Sequence, residues 1–147
     1  MDFKTDRVRQ EWADLRGGAV TAPAAPLLVP LALYVDDVSL RLTGKHALVT
    51  MIQRDTAEQL DLTDKRNAQL AVEGKPLVAV GTRSVHEFWR GIDFRSWIYD
   101  PDEIGAICRD VNAAFRYSDR LVALALHRYG SATHLHGQVP VGRQWKV

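Results

Sequence analysis

The residues of this chain best placed to do chemistry lie in two segments, Ser84-Val85-His86-Glu87-Phe88-Trp89-Arg90-Gly91-Ile92-Asp93 and His134-Leu135-His136-Gly137-Gln138-Val139. Together they offer a histidine, an aspartate and a second histidine, the ligand set of a catalytic zinc with one position left for water. His86 and Asp93 are seven residues apart, too far for one helical turn but natural for a loop that turns into a strand and returns a carboxylate to the metal. Gly91 allows a close backbone approach beside Asp93. The second segment alternates, and on a strand residues i and i+2 share a face. His134 and His136 are therefore expected to point the same way, with Leu135 on the opposite side. This pattern predicts metal-assisted hydrolysis; the plainer alternative is that the histidines are hydrogen-bonded structural side chains. His86-Glu87 also begins like the helical zinc motif HExxH, but Arg90 stands where the second histidine must be, which excludes it.

The elements that would carry these residues are legible from periodicity and from capping residues. Residues 4–16 suit a short helix with Val8, Trp12 and Leu15 on one face, stopped by Gly17-Gly18. Ala19 to Pro30 holds three prolines among small apolar residues and reads as an extended arm, a linker or docking strap. Asp36-Asp37 looks like a break between two short apolar pieces of Leu31 to Leu42. His46 to Gln53 has strand-like β-branched density ending near Arg54. Asp55 to Val72 suits an exposed helix with an irregularity at Leu62-Thr63-Asp64, and Pro76 to Val80 a short apolar approach to the His86 loop. Asp100-Pro101-Asp102-Glu103 is a strong helix start, with Asp100 as N-cap and Glu103 three residues on. That helix should run to about Phe115 with Ile104, Ile107, Cys108 and Val111 inward. Arg120 to His127 is a strand-length apolar run, and Arg128 to Thr133 a turn. Phe88, Trp89 and Trp97 flank the first segment and read as core or loop packing, with Trp89 the alternative lining of a substrate groove.

The order and spacing resemble the M15 peptidases, LAS-type zinc enzymes that include D,D-carboxypeptidases, D,D-dipeptidases and phage L-alanyl-D-glutamate endopeptidases. Ser84, His86 and Asp93 match their SxH…D signature and His134-Leu135-His136 their HxH, over roughly residues 45–140, about two-thirds of the chain. The resemblance implies Zn2+ held by His86, Asp93 and His136, with Ser84 supporting the ligand loop. It gives Arg54 the family's substrate-carbonyl and oxyanion role, against the alternative of a surface arginine. Trp89 occupies the motif's usual glycine and Gly91 its usual alanine. No carboxylate stands in Gly130-Ser131-Ala132-Thr133, where many M15 enzymes carry the base shortly before the last histidine. His134 is the natural substitute, with His127 assisting from the adjacent strand.

The predicted fold class is α+β: a small antiparallel sheet carrying the zinc site with flanking helices, plus an extended N-terminal arm. Residues 1–44 are the N-terminal helix and Pro-rich arm, and 45–147 the M15-like metallopeptidase domain, one compact domain overall. With 19 basic and 18 acidic residues and a formal charge of +1, charge gives no general attraction to nucleic acid or membrane, and neither partner is expected. Pro26 to Tyr34 is too short to span a bilayer. The mixed-charge N-terminus is unlike a secretory signal, so the expectation is a protein made in the cytoplasm. The lone Cys108 reads as an inert core thiol. The resemblance implies a peptidoglycan stem peptide as substrate, met at the cell wall after release or from a virion. The alternative is a non-catalytic zinc-binding or assembly module of the same fold, docking a virion or assembly partner through its N-terminal arm.

Overall fold

The computed structural model describes residues 1–78, 85–118, 121–129 and 132–140. After the two-residue strand β1 (Asp2–Phe3), helix α1 (Asp6–Arg16) starts where the Thr5 hydroxyl accepts a bond from the Val8 N–H and stops at Gly17. Val8, Trp12 and Leu15 form its buried face, as their spacing predicts.

The expected Pro-rich arm is corrected by helix α2, which runs unbroken from Ala25 to Thr43. Pro26 sits in its first turn, where a missing N–H costs nothing, and only Pro30 removes an interior hydrogen bond. An interior proline costs about 3 kcal/mol. Leu28, Leu31, Ala32, Val35 and Val38, at helical spacing, are essentially inaccessible, and each large one contributes about 1.5–3 kcal/mol. Burial therefore outweighs the proline. Asp36-Asp37 is likewise no break: Asp36 accepts from the Ala47 N–H at 2.8 Å and pairs with the N-terminal amine at 3.2 Å, anchoring the strands that follow.

β2 (Leu48–Met51) lies within the predicted strand. Helix α3 (Thr56–Val72) follows, with a capping box between Asp55 and Glu58 and no interruption at Leu62-Thr63-Asp64. The predicted apolar approach Pro76–Val80 has no regular structure as far as Val78 and then, like Ser84, lies outside the described residues. A 3-10 turn (Val85–Phe88) leads into β3 (Gly91–Arg95). Helix α4 (Pro101–Ala114) has the predicted capping box of Asp100 and Glu103; Ile107 and Val111 are buried, with Ile104 and Cys108 packed partly against the core. Burial pushes the Cys108 thiol up, which suits an unreactive sulfur. The run predicted as one strand divides into β5 (Leu121–Val122), paired with β4 (Arg116–Ser118), and β6 (Leu124–Tyr129), and β7 (Ala132–Gln138) completes the described elements. Of the predicted turn Arg128 to Thr133, Arg128 and Tyr129 belong to β6, Ala132 and Thr133 to β7, and residues 130–131 lie outside the described residues.

The fold is α+β, with a five-stranded sheet in the order β1-β2-β3-β7-β6. Strands β2, β3, β7 and β6 pair antiparallel, and β1 adds parallel to β2, so the sheet is mixed rather than purely antiparallel. One face carries the fully buried Val49, Ile92, Phe94, Leu124 and Leu135, packed against α2 and α4. Gly137 allows this: a Cβ there would lie 3.2 Å from Ile92 and 3.5 Å from Leu31 of α2. The core joins residues from Val8 to Val139 in one cluster. No helix among the described residues is long and apolar enough to cross a membrane.

Candidate metal centre

With Ile92, Phe94 and Leu135 committed to the core, strand alternation sends Asp93, His134 and His136 to the opposite face. The register places Asp93 beside His136 and Arg95 beside His134 on β3 and β7, and His127 of β6 beside His134. His86 arrives from outside the sheet on the 3-10 turn. The turn is tied down by backbone bonds from Arg54 N–H to His86 O and from Arg90 N–H to Val85 O.

Asp93 is the hub. Its Oδ1 lies 2.8 Å from His136 Nδ1 and 3.5 Å from His134 Nε2, and its Oδ2 lies 3.2 Å from His86 Nε2. His86, Asp93 and His136 are only 3%, 6% and 6% exposed, so water does not pay for this charge. Burial alone would push the Asp93 carboxyl up, but hydrogen bonds and charge from His136 and His86 together hold it well below the usual carboxylate range.

The donor set fits a metal ion. His86 Nδ1 lies 2.9 Å from the Ile52 carbonyl, and a carbonyl only accepts, so Nδ1 carries the proton. In a neutral ring this makes Nε2 an acceptor that faces a carboxylate oxygen. Two acceptors held 3.2 Å apart are satisfied by a proton or by a cation between them. With metal–ligand bonds of about 2.1 Å, that separation subtends about 100°, close to tetrahedral. The Ile52 carbonyl plays the outer-shell part that orients a ligating imidazole. His86, Asp93 and His136 thus lie close enough to hold a metal ion.

A second group, His127, His134 and His136, shares His136. There the His127 and His136 rings stack at 4.5 Å and 16°. In-plane lone pairs on parallel rings run side by side rather than converge, so the first group is the better cage. His134 and His127 are half-buried. Burial leads the causes that lower both of their pKa values; for His134, neighbouring His136, His86 and Arg54 add to this while Asp93 opposes it.

Arg54 is no surface arginine. It is half-buried, its Nη1 donates to Gln59 Oε1 at 2.7 Å, and its buried Nε has no partner among the described residues. Trp89 adopts φ 56°, a left-handed conformation that costs a non-glycine residue about 1–2 kcal/mol. Its ring packs partly on the core. Phe88 and Trp97, expected to pack, are instead 39% and 72% exposed: Phe88 is the last residue of the 3-10 turn, and Trp97 lies two residues beyond the end of β3. The chain sequence hid Ile52 and Gln59, whose contributions depend on non-local or backbone contacts. Arg95 was findable, since it stands two residues beyond Asp93 on one strand. Comparison with known proteins adds no relative: no family model, curated protein or solved structure matches this chain, and its function must be read from the buried His86, Asp93 and His136.

Proposed function

We propose that this chain is a zinc-dependent peptidase of the M15 type that hydrolyses peptide bonds in peptidoglycan stem peptides, reaching the wall after release from the cytoplasm or aboard a virion. The observation that carries this reading is the buried His86–Asp93–His136 group with the His86 tautomer fixed by Ile52. The mixed imidazole and carboxylate donors favour zinc over the hard cations, which prefer oxygen alone. A left-handed Trp89 at the position where the resembled motif has glycine is a further support, since that conformation is what glycine supplies freely.

When bound at these three residues, the metal supplies Lewis-acid polarisation of the scissile carbonyl and activation of water. His134, on the same face as His136, takes the proton from the attacking water at Nε2 and returns it to the leaving amine. His127, in ring contact with His134 at 5.7 Å, holds its orientation. Arg54, whose positive charge is felt at His134, stabilises the carbonyl oxygen electrostatically as negative charge grows there. The supporting part that the resemblance gives Ser84 falls on a residue outside the described ones.

A second reading, a non-catalytic zinc-binding or assembly module, draws on one observation: Asp93 is the sole carboxylate in the two clusters. Elemental analysis and a stem-peptide cleavage assay separate the two. The expected result is about one zinc per chain, lost in a His86→Ala/His136→Ala variant, with His134→Ala retaining zinc while kcat falls about 10²–10⁴-fold. Zinc without hydrolysis of any stem peptide selects the second reading. Absence of zinc removes the peptidase reading.

A further inference from the structure

Alternation along β3 places Arg95 on the face that carries Asp93, two residues or about 7 Å along the strand, and opposite His134 in the register. Its guanidinium lies 4.8 Å from the ring centroid of Trp97, a side chain that is 72% exposed. Arg7, Arg9 and Arg41 are each paired with a carboxylate. Among the described residues, no carboxylate pairs with Arg95. Stacking on an aromatic face uses the flat side of a guanidinium and leaves its N–H edge free to make a fork with two oxygens. A half-buried cation fixed by a solvent-facing indole, beside a metal centre and without an anion among the described residues, is built to receive one.

The geometry points to a carboxylate seat formed by Arg95 and Trp97 at the rim of the metal centre, which selects peptides bearing a free carboxylate close to the bond cleaved. This rests on the peptidase reading. Arg95 and Asp93 share one face two positions apart on β3, with His134 across from Arg95, so the seat and the metal ligands are neighbours on one sheet surface. The favoured ligand therefore carries a terminal carboxylate, or an aspartate or glutamate side chain, near the carbonyl held at the metal. Arg54 stabilises the carbonyl and Arg95 the anion, so the two arginines set the orientation of the bound peptide.

The test uses the zinc-loaded full chain and two probes, the tripeptide L-Ala-D-Glu-L-Lys with free carboxylates and the same peptide with its carboxylates amidated. Binding is followed by tryptophan emission, with Trp97→Phe identifying the responding ring, and hydrolysis is measured in parallel. Wild type should bind the acid form about tenfold or more tighter than the amide, as a charge-assisted fork implies. Arg95→Gln should narrow that ratio to about twofold or less, with Arg95→Lys intermediate because an ammonium lacks the fork. In wild type the acid form's advantage should shrink with added salt, a measurement independent of whether any variant folds. Equal affinities in wild type, no measurable binding of either peptide, or a ratio that survives Arg95→Gln overturns the seat. Cleavage without acid preference removes the seat and leaves the peptidase reading; acid preference without cleavage of either peptide does the reverse.

Discussion

Gly91→Ala tests the centre with a single methyl group. A Cβ built on Gly91 meets Val85 Cγ2 at 2.6 Å, His86 Cε1 at 3.1 Å and His136 Cε1 at 3.2 Å. Ordinary carbon contacts begin near 3.5 Å, so Val85 must retreat by about 0.9 Å, the His86 ring by about 0.4 Å and the His136 ring by about 0.3 Å. Val85 is on the short turn that also carries His86, so its retreat moves the ligand itself. Overpacking of this kind costs about 1–3 kcal/mol, a fall in Tm of roughly 3–10 °C for a chain of this size. Metal–ligand distances tolerate about 0.2 Å. A ring displaced by more than that should weaken zinc binding by about 10–100-fold, the loss typical when a supporting contact is removed. The assay is a pair of thermal melts, metal-free and zinc-loaded, with zinc affinity measured by competition against a chelator. The expected signature is a loss larger in the zinc-loaded protein than in the metal-free one. Equal Tm and affinity for Gly91→Ala and wild type would refute the claim that the two imidazoles close over this backbone to form one ligand set.

Leu31→Ala should destabilise the protein by about 2–5 kcal/mol in denaturant unfolding, because Leu31 is fully buried in α2; a change below about 0.5 kcal/mol would mean that this segment is a surface strap after all. Arg7 makes two bonds to Glu58, at 2.7 and 2.8 Å, and these hold the Glu58 carboxyl down at about 2 from 4.5. A depressed pKa adds stability above the unfolded value and loses it as pH falls through the folded one. The pair should therefore contribute about 0.5–1 kcal/mol at neutral pH, scaled for its exposure, and lose it between pH 4.5 and about 2. Glu58→Gln should flatten that part of the stability profile, and an unchanged acid limb would show the pair to be inert.

How much the chain revealed by itself depends on the range over which each element is stabilised. The helix starts at Asp100 and Asp55 are made by capping residues three positions apart, an interaction complete within one turn, so four letters suffice to read them. The pairing of His134 with His136 on one face follows from the period of a strand and needs nothing beyond the segment. Helix α2 is the opposite case. Its local letters, Pro26, Pro30 and Asp36-Asp37, argue against a helix, and it exists because Leu28, Leu31 and Val35 are buried among side chains far away in sequence. Propensity is worth tenths of a kcal/mol per residue and burial whole ones, so tertiary packing decides. The site divides in the same way. The residue types His86, Asp93 and His136 name a metal chemistry from the sequence alone. Only the folded chain brings a turn, β3 and β7 together so that one carboxylate faces three imidazoles, fixes the His86 tautomer through the Ile52 carbonyl, and leaves Arg54 and Arg95 beside it, because each of those contacts joins residues that no local period relates.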